Sequence, residues 1–263
     1  MSVLVTQYLR HVRRSEYSLS TSRGEAVFDA EFAARCLPYN ASTIPESQEE
    51  SIVPLLNNDA SEEPRTPSRP RIFLLSPANA SGIRGQRLLD ATSQSELALR
   101  LRQTGARLGD VYRHISSLYF RGKLEYAQRF RNPPQPAAGV QIITGVGLML
   151  PETLVRFDEF RQLSAISIDA RNERYRQPLV TDLMRLRETV GVHVDIILLG
   201  SIATSKYIDP IESVFGERVL VPRDFVGCGD MRRGSLLLRC CTQGLELEYV
   251  PVGGIVCAAD RSA

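Results

Sequence analysis

The chain has 263 residues, 43% hydrophobic and 24% charged, which is ordinary for a globular protein and enough for one generous α/β domain with a tail. A formal net charge of +2 supplies no broad basic face, which argues against a dedicated duplex-DNA binder. No apolar run approaches the ~20 residues of a membrane span, and the N-terminal charges follow the short apolar segment instead of preceding it, unlike a secretory signal.

Residues 1–69 read as an N-terminal extension, largely flexible. Within it, "EAVFDAEFAARCL" places Phe28, Phe32 and Cys36 at four-residue spacing. That pattern fits either a short amphipathic helix, docking on the main domain or on a partner protein, or an extended start with no fold of its own. Residues 41–70, dense in Pro, Ser, Glu and Asn, have little to bury and read as a flexible linker or a disordered tail.

From residue 70 to 256 the texture is that of a single α/β domain, with 257–263 as a C-terminal tail. "RIFLLS" reads as a buried parallel strand, and 93–105 as a helix with Gly105 near its end. Helix continues over 109–130, broken around Ser116–Ser117 and stopped before "NPPQP". A second strand spans 139–145. A helix covers 172–190, with a kink or a late start at Pro178. The third strand is 193–200, followed by a short helix at 209–216 with Asp209 as its cap and Pro210 in its first turn. Residues 218–222 form a fourth strand, 229–244 a helix, and "LELEYVPV" an edge strand. Alternating strands and helices predict a three-layer α/β fold, a mostly parallel sheet with helices on both faces.

Ligands in such folds bind beyond the carboxyl ends of the strands, so the four strand-end turns are the candidate site. "GSIATSKY" has the punctuation of a P-loop, but Ser205 stands where the second glycine belongs and Tyr207 follows Lys206 in place of Ser or Thr. It reads instead as an anion-binding turn built from Ser201, Thr204, Lys206 and free N–H groups, or as a plain capped turn with Lys206 solvated. Gly145 and Gly147 either admit a ligand close to the backbone or make an ordinary turn, with Glu152 beyond them as a candidate acid or base. In "SLYFRGKLEYAQRF", Tyr119, Lys123 and Tyr126 share one helix face; one stripe is core, and the other offers a phenol and cations to a phosphate or base.

Cys36, Cys228, Cys240, Cys241 and Cys257 form no C-x-x-C pair and no zinc spacing, which fits free thiols in a reducing compartment and a cytoplasmic location. His114 and His193 are isolated. The sequence indicates no metal site and names no cofactor.

Taken in order, "FLLSPAN", "SSLYFRGKLEYAQRF", "IITGVGLMLPE", "LLGSIATSKYIDPI" and "VPRDFVGCGDMRRGSLL" resemble a small bacterial and phage domain family of unknown function. That family is allied to the peroxide-stress protein YaaA and to a domain accompanying tRNA-guanine and archaeosine transglycosylases. Ser76, Leu118-Tyr119-Phe120, Gly147 through Glu152, Lys206-Tyr207, and Gly227 with Gly229 carry the resemblance, over roughly residues 70–252. Met149 and Glu152 depart from the family's Leu and Asp, and the spacing around Tyr119 is altered. The resemblance implies a three-layer α/β fold and a site lined by Ser76, Tyr119, the 145–152 turn, Lys206–Tyr207 and the 227–231 loop. It also implies nucleotide or nucleic-acid metabolism.

An N-glycosidic reaction, base exchange or base release, needs a carboxylate to stabilise positive charge and a donor for the leaving base. Glu152, Asp209 and Asp158 are the candidate carboxylates, with Tyr119, Tyr207 and Lys206 as donors or phosphate contacts. The alternative is a non-catalytic nucleotide- or nucleic-acid-binding protein of stress response or phage defence.

Overall fold

The computed structural model describes residues 69–253. The expected helix at Phe28–Cys36, the linker and the tail lie outside them. β1 (Arg71–Leu75) is the central strand of the sheet. Its side chains alternate: Ile72 and Leu74 enter one core, Phe73 and Leu75 the other, so a continuous apolar run serves two packed faces. β3 (Val140–Thr144), β6 (Asp195–Leu199) and β7 (Val219–Pro222) extend the sheet in parallel. β4 (Gly147–Met149) and β8 (Tyr249–Pro251) close its edges antiparallel, giving the order β4-β3-β1-β6-β7-β8. A separate two-stranded ladder joins β2 (Ala106–Arg107) to β5 (Leu154–Val155).

Helices cover both faces, as the alternation predicts. α1 (Ile83–Leu89), α2 (Glu96–Gln103), α3 (Leu108–Ile115), α4 (Tyr119–Phe130), α5 (Phe157–Ala165) and α8 (Asp230–Gln243) bury their apolar stripes with Phe73, Leu75, Ile142 and Leu199. α6 (Glu173–Val190) and α7 (Ser205–Phe215) pack on the opposite face against Ile72, Leu74, Ile143 and Leu198. The fold is a three-layer α/β sandwich. No helix among the described residues is long and apolar enough to cross a membrane.

Four expectations change in detail. Residues 145–146 are the turn of a hairpin that folds β4 back on β3; Gly147, at the start of β4, adopts φ +113°, and a Cβ there would lie 2.2 Å from Asp182 Oδ2. α6 starts at Glu173, capped by the Asn172 side chain, so Pro178 lies inside the helix and does not delay it. α7 starts at Ser205 with Thr204 as its N-cap, so Asp209 is its fifth residue, not its cap. The last strand shortens to Tyr249–Pro251.

Candidate functional site

β3 lies on one side of β1 and β6 on the other, so the chain reverses direction across the sheet at β1. Loops leaving the carboxyl ends of β1 and β6 therefore diverge and leave a crevice, the usual ligand position in open α/β sheets. A cavity of about 820 Å³ occupies this place, within the size range of small-molecule sites. The loop from Ser76 to Ser81 forms one wall; Ser201, Lys206 and Tyr207 form another. Residues 163–168, at the end of α5, close a third side. Tyr112, Tyr119 and Lys123 reach in from α3 and α4, and Asp230 from the first turn of α8.

α4 and α8 touch backbone to backbone because both crossing residues are glycine. A Cβ at Gly122 would meet the Gly234 carbonyl at 2.8 Å, and one at Gly234 would meet Tyr119 Cα at 2.9 Å. This close crossing sets Tyr119 and Lys123 beside Asp230 and Arg233. Lys123 is 1% exposed. Its Nζ donates to the Ser76 carbonyl at 2.6 Å and to Ser76 Oγ at 2.8 Å, and lies over the rings of Tyr119 and Phe120 at 4.5 and 5.1 Å. Neutral oxygens and ring faces replace little of the hydration an ammonium loses. Burial accordingly pulls the Lys123 pKa down to about 7; Arg233 adds to the effect and Asp230 opposes it.

Tyr119 Oη is buried and has no hydrogen-bond partner. The Arg233 guanidinium lies near enough to favour the phenolate both by its charge and as a weak hydrogen-bond donor, but it is committed to the Phe225 carbonyl at 2.8 and 3.2 Å and approaches Asp230 at 3.7 Å. Burial dominates and pushes the phenol up to about 12, so at neutral pH Tyr119 holds a proton that it can donate. Burial likewise raises Tyr207, with Tyr119 nearby adding to the rise.

The β6–α7 turn is held by a replacement hydrogen bond. Pro210, inside α7, has no N–H for the Lys206 carbonyl four residues back. The Tyr175 hydroxyl, from α6, donates to that carbonyl at 2.9 Å instead. Lys206 is thereby fixed at the start of α7, with its Nζ 5.1 Å from the Tyr207 ring centroid. No side chain caps the first turn of α7, so its N–H groups and Lys206 together favour an anion at this end of the crevice.

Of the residues singled out in the sequence, Ser76, Tyr119, Ser201, Lys206 and Tyr207 line the one cavity. Gly145 stands behind its wall, where a Cβ would lie 2.7 Å from Ile166 Cβ. Gly147 faces Asp182 of α6, away from the crevice. Gly227 and Gly229 precede α8, and it is the next residue, Asp230, that lines the cavity. Glu152 is exposed in the turn after β4, Asp209 is exposed on α7, and Asp158 is exposed and paired with Arg161 at 2.9 Å. None of these three carboxylates lines the cavity. Two of the four strand-end turns converge; the second is a hairpin and the fourth contributes through its helix. His114 and His193 are exposed.

The resemblance placed the 227–231 loop at the site without singling out Asp230 within it, and sequence reasoning missed the weight of Lys123. A compositional signal pointed to the latter. Of 32 Lys and Arg residues, two are lysines, Lys123 and Lys206, and both line this crevice. Among the described residues, no group of His, Cys, Asp and Glu is arranged to hold a metal. The chain matches no protein-family model, no curated protein and no solved structure.

Proposed function

We propose that the chain is an enzyme of nucleotide or nucleic-acid metabolism that acts on an N-glycosidic bond, releasing or exchanging a base. The observation that carries this reading is one crevice combining aromatic walls, two lysines, a protonated phenol without a partner and a carboxylate. Tyrosine faces suit a nucleobase, and Lys206 at the start of α7 suits a phosphate. Asp230 takes the carboxylate role in place of Glu152 and Asp209, because it lines the cavity and they do not. There it stabilises positive charge developing on the ring. The Tyr119 hydroxyl donates to the leaving base. The resemblance of the sequence motifs to those of YaaA-allied proteins supports the same substrate class.

The test is chromatographic detection of free base after incubating the full chain with ribonucleosides, deoxyribonucleosides, their 5′-monophosphates and a mixed-sequence oligonucleotide. Release should fall by about two orders of magnitude in Asp230→Asn, with binding retained. Loss in Glu152→Gln or Asp209→Asn, but not in Asp230→Asn, would return the role to those residues. Salt-dependent binding with no release by wild type would assign the crevice to a non-catalytic nucleotide-binding protein.

A further inference from the structure

We infer that Lys123 is a nucleophilic amine that forms an imine with the anomeric carbon of the substrate sugar, a step that rests on the N-glycosidic function proposed above and specifies how the bond is broken.

Three observations converge on this residue. The chain meets almost every need for positive charge with arginine, including the nearly buried Arg233 on the neighbouring helix. Arginine stays charged in proteins and has no free electron pair to donate, whereas a buried lysine readily becomes a neutral amine. Lysine at 123 is thus the choice that supplies a nucleophile, and at Lys206 a compact cation at the mouth of α7. Secondly, Lys123 Nζ has two neutral oxygens and two aromatic rings around it, the desolvated setting that activates an amine; its pKa near 7 leaves much of it unprotonated at neutral pH. Thirdly, imine formation needs proton relays on both sides of the nitrogen. Ser76 Oγ stands 2.8 Å from Nζ, and the unpartnered Tyr119 hydroxyl belongs to the ring beneath it.

The chemistry balances without a redox partner. Neutral Nζ bonds to C1′ as the C1′–N bond to the base breaks, and the base departs with a proton released by the nitrogen. The C1′–O4′ bond then opens; the nitrogen electron pair completes C=N, and O4′ takes the second nitrogen proton. Water adds to the imine and the C–N bond breaks, returning the amine and leaving the sugar as a free aldehyde. Overall, one water cleaves one N-glycoside.

Two lysines in the chain make the test clean. The full wild-type protein is incubated with the same nucleosides, 5′-monophosphates and oligonucleotide, and separately with 2-deoxyribose 5-phosphate, in the presence of sodium cyanoborohydride. Intact mass and peptide mapping then locate any reduced sugar adduct. The expected result is one adduct on Lys123, reduced at least about tenfold in Lys123→Met. Free base released without an adduct overturns the imine and leaves the N-glycosidic function standing. An adduct confined to Lys206 or the N-terminal amine also overturns it. Neither release nor adduct from any probe overturns both.

Discussion

Lys123→Met removes the buried ionisable group and keeps a side chain of similar length. In the unfolded chain this lysine titrates at 10.5, and in the fold at about 7. Below pH 7 both states hold the proton, and the cost of burying it is constant. Between pH 7 and 10.5 the unfolded chain holds a proton that the folded chain has lost, so the stability contributed by this position rises with pH. Each pH unit inside that window is worth about 1.4 kcal/mol. Allowing for half-titration at the lower end, wild type should gain roughly 2 kcal/mol on Lys123→Met from pH 7 to pH 9. For a domain of this size that is a relative rise in melting temperature of roughly 4–8 °C. The groups around the amine are Tyr112, Tyr119, Lys206, Tyr207, Asp230 and Arg233. They are common to both proteins and cancel to first order in the difference. Urea denaturation of both proteins at pH 7, 8 and 9 measures it. Parallel stability curves would refute the burial of an ammonium at this position, whatever the absolute stabilities.

Tyr119→Phe deletes a buried hydroxyl that has no partner; the free protein should keep its stability or gain up to about 1 kcal/mol in urea denaturation, while ligand affinity falls. A loss above that size would mean the hydroxyl is satisfied. Gly234→Ala adds a Cβ 2.9 Å from Tyr119 Cα. Alanine normally improves a helix interior by up to ~1 kcal/mol, so a net loss of roughly 1–3 kcal/mol in thermal melts would report the α4–α8 crossing, and a gain would contradict it. Tyr175→Phe orphans the Lys206 carbonyl and should cost roughly 1–2 kcal/mol. In a Pro210→Ala background, which restores the helical N–H, that cost should shrink; an unchanged cost would sever the two residues.

Much of the sheet was readable because its parallel strands are buried on both faces: "RIFLL" and "DIILL" have no polar residue after their first position. The break between α3 and α4 at Ser116–Ser117 was equally plain. α1 escaped notice because its N-cap, Gly82, makes no side-chain cap bond and its few apolar residues follow a loop-like stretch. The start of α7 was misplaced because Asp209-Pro210 imitates a helix start, while Tyr175, 35 residues before Pro210, supplies the bond that lets Pro210 sit inside the helix. Ser76, Ser201, Lys206 and Tyr207 were legible as strand-end residues in an α/β fold. The weight of Lys123 was not, and Asp230 was covered only as part of the 227–231 loop, since a Gly–Gly helix crossing between residues 122 and 234 is what brings the two together, and no local periodicity encodes it.

The most direct test of the crevice as a nucleotide site uses the two lysines as reporters. In protein labelled at the lysine ε-carbon, the carbon–proton spectrum should contain two lysine signals, one titrating near pH 7 and absent from Lys123→Met. Titration with nucleoside 5′-monophosphates should shift both signals together, because Lys123 and Lys206 line the same cavity. Saturable nucleotide binding that leaves both signals unmoved would place the site elsewhere and contradict the account.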